Sequence, residues 1–163
     1  MNNADVDLQL TQCRSELDHV HAIIATFGIM SPVAPYLTKY AVIRACGSIE
    51  VSFKTLIADF CSRRSKKQVK RFIHMKIRKG SANPSESNII NMLNSFDEDW
   101  RKGFKSNLKS DPDKRQILDS LQSLVDARNE FAHGGSPTIT ITDVLQHFDR
   151  ARRVVEHVDA VIT

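Results

Sequence analysis

The sequence predicts an all-α protein, a bundle of five or six helices. Glycine and proline, with six and five copies in 163 residues, are scarce for an all-β domain, and stretches of alternating apolar and polar residues are few. Apolar residues instead recur at steps of three and four, which lines one face of a helix. A chain of this length suits one domain with a buried core, so we expect residues 1–163 to form a single domain.

The first two helices are predicted at roughly residues 5–27 and 38–61. Gly28 is a natural end for the first helix, and Pro32 and Pro35 indicate a loop before the second. The apolar stripe of the first helix comprises Leu10, Cys13, Leu17, Val20, Ile24 and Phe27. That of the second comprises Ile49, Phe53, Leu56, Ile57 and Phe60. Both stripes are expected in the core.

A basic helical segment, 62–80, and an insertion-like region, 81–110, are expected next. In the second of these Asn83 can cap a helix, with Pro84 in its first turn and Glu86 at its third position. Apolar residues then recur at helical spacing and form either one helix or two: Ile89, Ile90, Leu93, Phe96, Trp100, Phe104 and Leu108.

The last two helices are predicted at roughly residues 113–133 and from Thr142 onward. Glycines in the run 134–137 end the former, and residues 138–142 are expected to form an extended, β-branched connector. The buried positions expected in the former are Ile117, Leu121, Leu124 and Val125. Those expected in the latter are Val144, Phe148, Ala151, Val155, Val158 and Ile162.

Positive charge is concentrated in one part of the sequence. The net charge is +4, but residues 63–79 hold nine basic side chains and no acidic one, so the remainder of the chain nets −5. Such runs commonly bind phosphates, because each Lys or Arg that meets a phosphate releases a counterion. A solvated helix face is the other interpretation. The nine residues are Arg63, Arg64, Lys66, Lys67, Lys70, Arg71, Lys76, Arg78 and Lys79.

Apolar and aromatic residues also lie within this run, and they have two interpretations. Phe72 and His74 can stack on nucleic-acid bases. Val69, Phe72, Ile73 and Ile77 also fit the buried stripe of a short helix. We prefer the buried stripe.

Several classes of protein are disfavoured. No apolar run approaches the roughly 18–20 residues of a membrane-spanning helix, and the first ten residues lack the basic and apolar regions of a secretory signal. Cys13, Cys46 and Cys61 form no CxxC pair, which is typical of reduced thiols in a cytosolic protein. We therefore expect a cytoplasmic protein that does not bind membranes.

The usual phosphate-loop, dinucleotide, zinc-protease and serine-hydrolase motifs are missing from the sequence. His19 and His21, two apart on a helix, point about 200° apart and cannot share a metal from that helix. His147 and His157 are expected at a surface or an interface. We expect neither a metal nor a cofactor.

One short stretch, RNEFAHGG at residues 128–135, differs from the rest of the chain. It places Arg128 and His133 five residues apart at the end of a helix. Five steps rotate by about 500°, so the two side chains lie about 140° apart around the axis. The adjoining glycines can turn the imidazole back, and a site built here gains from a second helix that faces the first. A plain helix ending, with a cation in the last turn, is the alternative.

The sequence around this stretch resembles the HEPN superfamily of helical ribonuclease domains. The family signature is Arg, a polar residue, several positions and then His, matched here by Arg128, Asn129 and His133. The lead-in ILDSLQSLVDARNEFAHG is similar to the third core helix of the family. The sequel SPTITITDVLQHFDRARRVVEHVD is similar to its connector and closing helix. Upstream, YAVIRACGSIEVSFKTLIADF resembles the second helix of the RiboL-PSP-HEPN branch, with Arg44 and Glu50 at its Arg and Glu.

The resemblance implies an HEPN-like bundle and a metal-independent endoribonuclease. HEPN ribonucleases act as dimers in which each chain lends its Arg–His helix to one composite cleft. Arg128 would then bind the phosphate and His133 would move a proton, to give a 2′,3′-cyclic phosphate and a 5′-hydroxyl. The basic segment would hold the RNA. Short domains of this kind resemble toxins or antiviral effectors, so an antitoxin or defence-system component is an expected partner.

Asn129, the third catalytic residue that the resemblance implies, and the supporting residues Glu50 and Arg44 have two interpretations each. Asn129 orients the site or bonds the phosphate, or it is an ordinary polar residue of an exposed turn. Glu50 steers the Arg–His pair from the neighbouring helix, or it pairs with Lys54 four residues on. Arg44 supports the site or forms a surface ion pair.

Two alternatives to a nuclease remain open. The first is a non-catalytic HEPN module that binds nucleotide, RNA or a protein partner. The second is a helical interaction protein that carries the motif by chance. Cleavage of RNA separates these from the nuclease.

Overall fold

The computed structural model of the protein describes residues 1–135 and 138–162. Across those residues the chain forms eight α-helices and one π-helical turn and no strand, which confirms the all-α fold class. The helices are α1 (Ala4–Phe27), α2 (Ala34–Ser62), α3 (Lys67–Ile73), α4 (Glu86–Phe96), α5 (Glu98–Ser110), α6 (Lys114–Ala132), α7 (Ile141–Ala151) and α8 (Arg153–Asp159). The π-helical turn, His74–Arg78, extends α3.

The two longest helices, α1 and α2, pack against each other at the centre of the fold. Asn3 caps α1 by accepting a hydrogen bond from the backbone of Val6 at 3.1 Å. Phe27, the last member of the predicted α1 stripe, is 66% exposed, so that part of the stripe is wrong. α2 begins four residues before the expected start, because Pro35 fits the first turn of a helix as well as a loop. The apolar side chains of α1, α2 and α4–α8 share one hydrophobic core.

The region expected to hold one helix or two contains two, and Asp97 marks the break. Its carboxylate accepts hydrogen bonds from the backbone of Asp99 at 2.7 Å and Trp100 at 3.3 Å, which starts α5. The Trp100 ring then packs edge-on against Phe60 of α2, with ring centroids 5.1 Å apart. This contact anchors α5 to the core.

The prediction that Asn83 caps α4 is wrong. Ser85 is the cap of α4, because its hydroxyl accepts the backbone N–H of Asn88 at 3.3 Å. The helix therefore begins at Glu86, and Pro84 lies outside it. This leaves the Asn83 side chain free to bond elsewhere.

The basic segment forms α3 and the π-helical turn, which lie on α2. Ile73 is buried and Ile77 is half-buried, as expected. Val69 and Phe72 are 46% and 61% exposed, so the predicted buried stripe is wrong for these two residues. A helix of only two turns lying on one neighbour covers a narrow strip of side chains, and the rest remain in solvent.

The last predicted helix is divided at Arg152 into α7 and α8. This division and the break at Asp97 explain why the chain forms more helices than the five or six predicted. α7 begins at Ile141, one residue before the expected start at Thr142, because Thr140 caps it: the Thr140 backbone N–H donates to Asp143 at 2.9 Å, and its hydroxyl accepts the Asp143 N–H at 3.2 Å.

All three cysteines are free thiols, with Cys13 and Cys46 buried and Cys61 half-buried. Burial raises the pKa of each of them. Among the described residues, no helix has both the length and the apolarity that crossing a membrane requires.

Candidate active site

The RNEFAHGG stretch lies at the C-terminal end of α6, which closes in a Schellman motif. The Gly135 N–H donates to the Glu130 carbonyl at 2.8 Å, and the Gly134 N–H donates to the Phe131 carbonyl at 3.1 Å. Gly134 has a φ of +84°, which residues with a side chain rarely adopt. A Cβ on Gly135 would lie 2.5 Å from the Cγ of Glu130. The two glycines therefore fix where His133 leaves the helix.

Arg128 is half-buried and is held by two side-chain amides. Its Nη1 donates to Asn83 Oδ1 at 2.6 Å and lies 3.4 Å from Asn129 Oδ1. Asn83 Nδ2 donates to the same Asn129 oxygen at 2.9 Å. The three side chains thus form a closed set of hydrogen bonds, which we call the amide bridge.

Within residues 1–135 and 138–162, Arg128 forms no ion pair with a carboxylate. Glu50 forms the pair with Lys54 that is one of its two interpretations: it accepts hydrogen bonds from Lys54 Nζ at 2.9 Å and from the Ala82 N–H at 3.0 Å. A guanidinium bound only by neutral amides keeps its charge available for an anion.

Arg128 and Glu50 both lie near Cys46, at the interface between α2 and α6. Burial raises the pKa of the Cys46 thiol to about 11, while nearby Arg128 lowers it and Glu50 raises it. Because the thiol is protonated at neutral pH, it is unsuited to act as a nucleophile.

His133 is exposed, and in the described part of the chain its imidazole has no hydrogen-bond partner. Its backbone N–H donates to the Asn129 carbonyl at 3.1 Å. Arg128 bonds toward Asn83 instead, so the two motif side chains do not bond each other within one chain. This separation agrees with the angle of about 140° expected from helix geometry.

Comparison with known protein families identifies the fold. A sequence model of the RiboL-PSP-HEPN family matches residues 9–163, which include the end of α6 and all of α2. The chain belongs to the RiboL-PSP-HEPN family. No curated protein and no solved structure matches it significantly.

Arg44 lies away from the end of α6 in this HEPN protein. Its Nε donates to Glu16 Oε2 at 2.7 Å, and the Tyr40 hydroxyl donates to the other oxygen. The Tyr40 hydrogen bond, together with Arg44, lowers the pKa of Glu16. Arg44 therefore ties α2 to α1 in the ion pair that was its alternative interpretation, and no hydrogen bond or ion pair between described residues links it to Arg128.

The basic segment of this HEPN protein presents most of its charge to solvent. Arg78 is the exception: it is half-buried and donates to Thr55 at 3.3 Å and to Asp59. Residues 80–83 then lead back to the amide bridge, a distance of at most about 14 Å for four extended residues. Lys79, the last cation of the basic segment, is therefore within about 14 Å of Asn83. The exposed basic side chains are Arg63, Arg64, Lys66, Lys67, Lys70, Arg71, Lys76 and Lys79.

Asn83 is the site residue that the sequence did not reveal. Its local pattern, Asn-Pro-Ser-Glu, is typical of a helix start, whereas its partners Arg128 and Asn129 lie 45 and 46 residues away. Only the tertiary structure brings them together.

The other histidines lie outside this site. His19 and His21 are exposed on α1. His147 Nδ1 lies 3.2 Å from Ser120 Oγ, and His157 bonds a carboxylate. Across the residues with a described structure, no three His, Cys, Asp or Glu side chains form a group that could hold a metal.

Proposed function

We propose that this protein is a metal-independent endoribonuclease with Arg128 and His133 as its catalytic residues. The observation that carries the proposal is the state of Arg128: a half-buried guanidinium held by two neutral amides and by no carboxylate among the described residues. Partial burial of a guanidinium without a carboxylate costs free energy, and a bound anion offsets that cost. A phosphate oxygen pair fits the guanidinium bidentately, and the charge persists while negative charge develops in the transition state.

His133 supplies the group that moves protons. Its imidazole is exposed, five residues after Arg128, and forms no hydrogen bond with another described side chain. Histidine titrates near neutral pH, so it can accept a proton from the ribose 2′-hydroxyl or protonate the leaving oxygen. The 2′-oxygen attacks phosphorus, the bond from phosphorus to the 5′-oxygen breaks, and the products carry a 2′,3′-cyclic phosphate and a 5′-hydroxyl.

The catalytic cleft is proposed to form between two copies of the chain. Arg128 and His133 do not meet within one chain, so a second α6 is needed to place an imidazole opposite each guanidinium. Two facing histidines also allow one to act as base and the other as acid. This homodimer is the partner that the proposed chemistry requires.

An exposed apolar stripe on α2 is the surface we propose for this homodimer. Its members lie on one face of the helix, beside the Cys46 and Glu50 positions that adjoin Arg128. A Cβ added to Gly47 in this stripe would meet nothing within 4 Å, so a partner helix can approach closely. The stripe comprises Tyr36 (72% exposed), Tyr40 (45%), Ile43 (54%) and Val51 (46%).

The basic segment is proposed to bind the RNA backbone, since Lys79, the last of its exposed cations, precedes Asn83 of the amide bridge by only four residues. Phe72, 61% exposed among them, is available to stack on an unpaired base. Unpaired RNA is the favoured substrate, because its backbone can adopt the in-line geometry that 2′-hydroxyl attack requires.

A role as a toxin or antiviral effector acting in the cytoplasm is part of the proposal. It rests on the RiboL-PSP-HEPN family match, which indicates an RNA-related function. An antitoxin or another defence-system component is the protein partner expected to control it.

The proposal is tested by incubating the purified protein with an RNA oligonucleotide in EDTA. We expect cleavage to persist, to leave cyclic phosphate and 5′-hydroxyl ends, and to disappear in His133→Ala. His19→Ala, which alters an exposed histidine of α1, is the matched control and should cut normally. Cleavage that requires Mg²⁺ would rule out the proposed mechanism.

A non-catalytic HEPN module is the second candidate function. The observation that favours it is that Arg128 and His133 form no contact within one chain. Binding of RNA or nucleotide without cleavage, under the same conditions, would support this second function.

A further inference from the structure

We infer that Asn83 is a positioning residue that orients Arg128 and Asn129 for a phosphate group. The hydrogen bonds that hold residues 80–82 along α2 set the position of Asn83. This inference rests on the proposed function, because it names how the cation of that site is held. Nothing in the family match assigns a role to this asparagine.

The hydrogen bonds of the amide bridge determine which donors of its three side chains are left to bind a ligand. Asn83 Oδ1 accepts one Arg128 N–H at 2.6 Å, and Asn129 Oδ1 accepts from Asn83 at 2.9 Å. An asparagine has one amide oxygen and one NH₂ group, so engaging the oxygen of Asn129 leaves its two N–H donors for another acceptor. The N–H donors of Arg128 outside the amide bridge have no partner among the described residues either. Together they form a donor set that suits phosphate oxygens.

The backbone on either side of Asn83 is tied down. The Ala82 N–H donates to Glu50 at 3.0 Å, and the Asn83 carbonyl accepts from Asn88 Nδ2 at 3.0 Å. Hydrogen bonds from α2 and α4 thus fix this residue on both sides.

Lys54 adds a second tie from α2. Its side chain is 4% exposed and donates to the Gly80 carbonyl as well as to Glu50. A buried lysine that neutralises Glu50 and also binds backbone holds residues 80–83 against α2. Glu50 therefore acts on Arg128 indirectly, through the Ala82 backbone and Asn83, while it also pairs with Lys54.

The choice of an amide over a carboxylate is chemically meaningful at this position. An aspartate could accept the same Arg128 hydrogen bond but would cancel the guanidinium charge, and it could not donate to Asn129. Asn83→Asp therefore distinguishes a residue that orients Arg128 from one that only attaches residues 80–83 to α6. A purely structural tie would tolerate the carboxylate, since an ion pair holds two segments at least as well.

The test measures both cleavage and binding by purified full-length Asn83→Ala and Asn83→Asp. For Asn83→Ala we expect the single-turnover rate to fall about 100-fold, since misplacing a catalytic group by about 1 Å has that effect, while KM changes little. Asn94→Ala, which alters an exposed asparagine of α4, is the matched control and should cleave at the wild-type rate. Thermal unfolding confirms that each variant is folded.

Binding is measured on an RNA fully methylated at its 2′-oxygens, which cannot be cleaved. For a single strand, the slope of log affinity against log salt falls by about 0.7 for each phosphate that the protein no longer neutralises. We expect both Asn83→Asp and Arg128→Ala to show this reduction, and Asn83→Ala to keep the wild-type slope because the guanidinium charge is retained.

The outcomes distinguish this inference from the proposed function. Wild-type cleavage by Asn83→Ala together with a wild-type salt slope for Asn83→Asp overturns the inference and leaves the nuclease intact. If the wild-type protein binds RNA but does not cut it, the slope of Asn83→Asp alone decides the inference. If the wild-type protein binds no RNA, both are wrong.

Discussion

Two arginine–histidine pairs, one at the end of α6 and one on α8, differ in their surroundings. Arg153 and His157 of α8 converge on Asp111, whose side chain is 5% exposed: the guanidinium donates to it at 2.7 and 2.9 Å and the imidazole lies 2.9 Å away. Arg153 also bonds Asp113 at 2.7 Å. Arg128 has only amides, and the His133 imidazole has no partner among the described residues.

The comparison teaches that residue types alone do not separate a structural pair from a functional one. Around Arg153 the carboxylates cancel the positive charge and tie α8 to the turn between α5 and α6. Around Arg128 the charge is held in place without being cancelled. An anion therefore gains more from meeting Arg128 than from meeting Arg153.

The largest effect is expected at Arg128. Arg128→Ala should lower the single-turnover rate of RNA cleavage in EDTA by about 100- to 1000-fold, since it removes charge stabilisation in the transition state. Arg128→Lys should recover only a small part, because an ammonium cannot bind a phosphate bidentately. A wild-type rate in either variant would remove the distinction between the two pairs.

The second effect concerns stability. Arg153→Ala leaves buried Asp111 without its charged donor, so we expect urea unfolding at fixed chain concentration to show a loss of about 2 kcal/mol. The cleavage rate per folded molecule should stay at the wild-type value. Equal stability with reduced cleavage would mean that this pair belongs to the active site.

A smaller effect tests how His133 is placed. Gly134→Ala should lower the free energy of unfolding by about 1–2 kcal/mol, because its φ of +84° is strained for alanine, and it should reduce cleavage. Gly28→Ala is the control at the end of α1, where φ is +88° and ψ is 144°, a conformation that alanine adopts even less readily. It should lose at least as much stability and keep its cleavage rate. Unchanged cleavage in Gly134→Ala would show that the Schellman motif does not position the imidazole.

The smallest effect is the acid dependence of stability. Desolvation raises the pKa of Asp111, but the Asp113 backbone N–H, His157 and Arg153 outweigh it and lower the pKa below its usual value. The unfolded chain then binds this proton at higher pH than the folded chain does. The contribution is therefore complete above the ordinary Asp pKa of about 3.9 and is lost as pH falls through the lower folded value.

Urea unfolding between neutral and acidic pH measures this contribution. Asp111→Asn should flatten the acid limb of the stability curve, whereas Asp126→Asn, at an exposed position on α6, should not. An unchanged acid limb in Asp111→Asn would contradict the account of the Arg153 cluster.

Much of the fold follows from local pattern, and much of the site does not. Apolar periodicity and capping residues placed α1 and α6 within one residue of their observed ends, because those helices bury one continuous stripe. Phe72 was assigned to a buried stripe wrongly, since periodicity cannot reveal how little a short helix covers. Arg44 and Asn83 depend on partners far along the chain, Glu16 and Arg128, that no local pattern indicates.

The most direct test of the shared catalytic cleft uses mixed dimers. Differently tagged Arg128→Ala and His133→Ala chains are co-expressed, the heterodimers are isolated, and RNA cleavage is measured in EDTA. The account expects the heterodimer to cut RNA clearly faster than either variant homodimer, because one intact guanidinium and one intact imidazole then face each other. A heterodimer no more active than the two homodimers would contradict it.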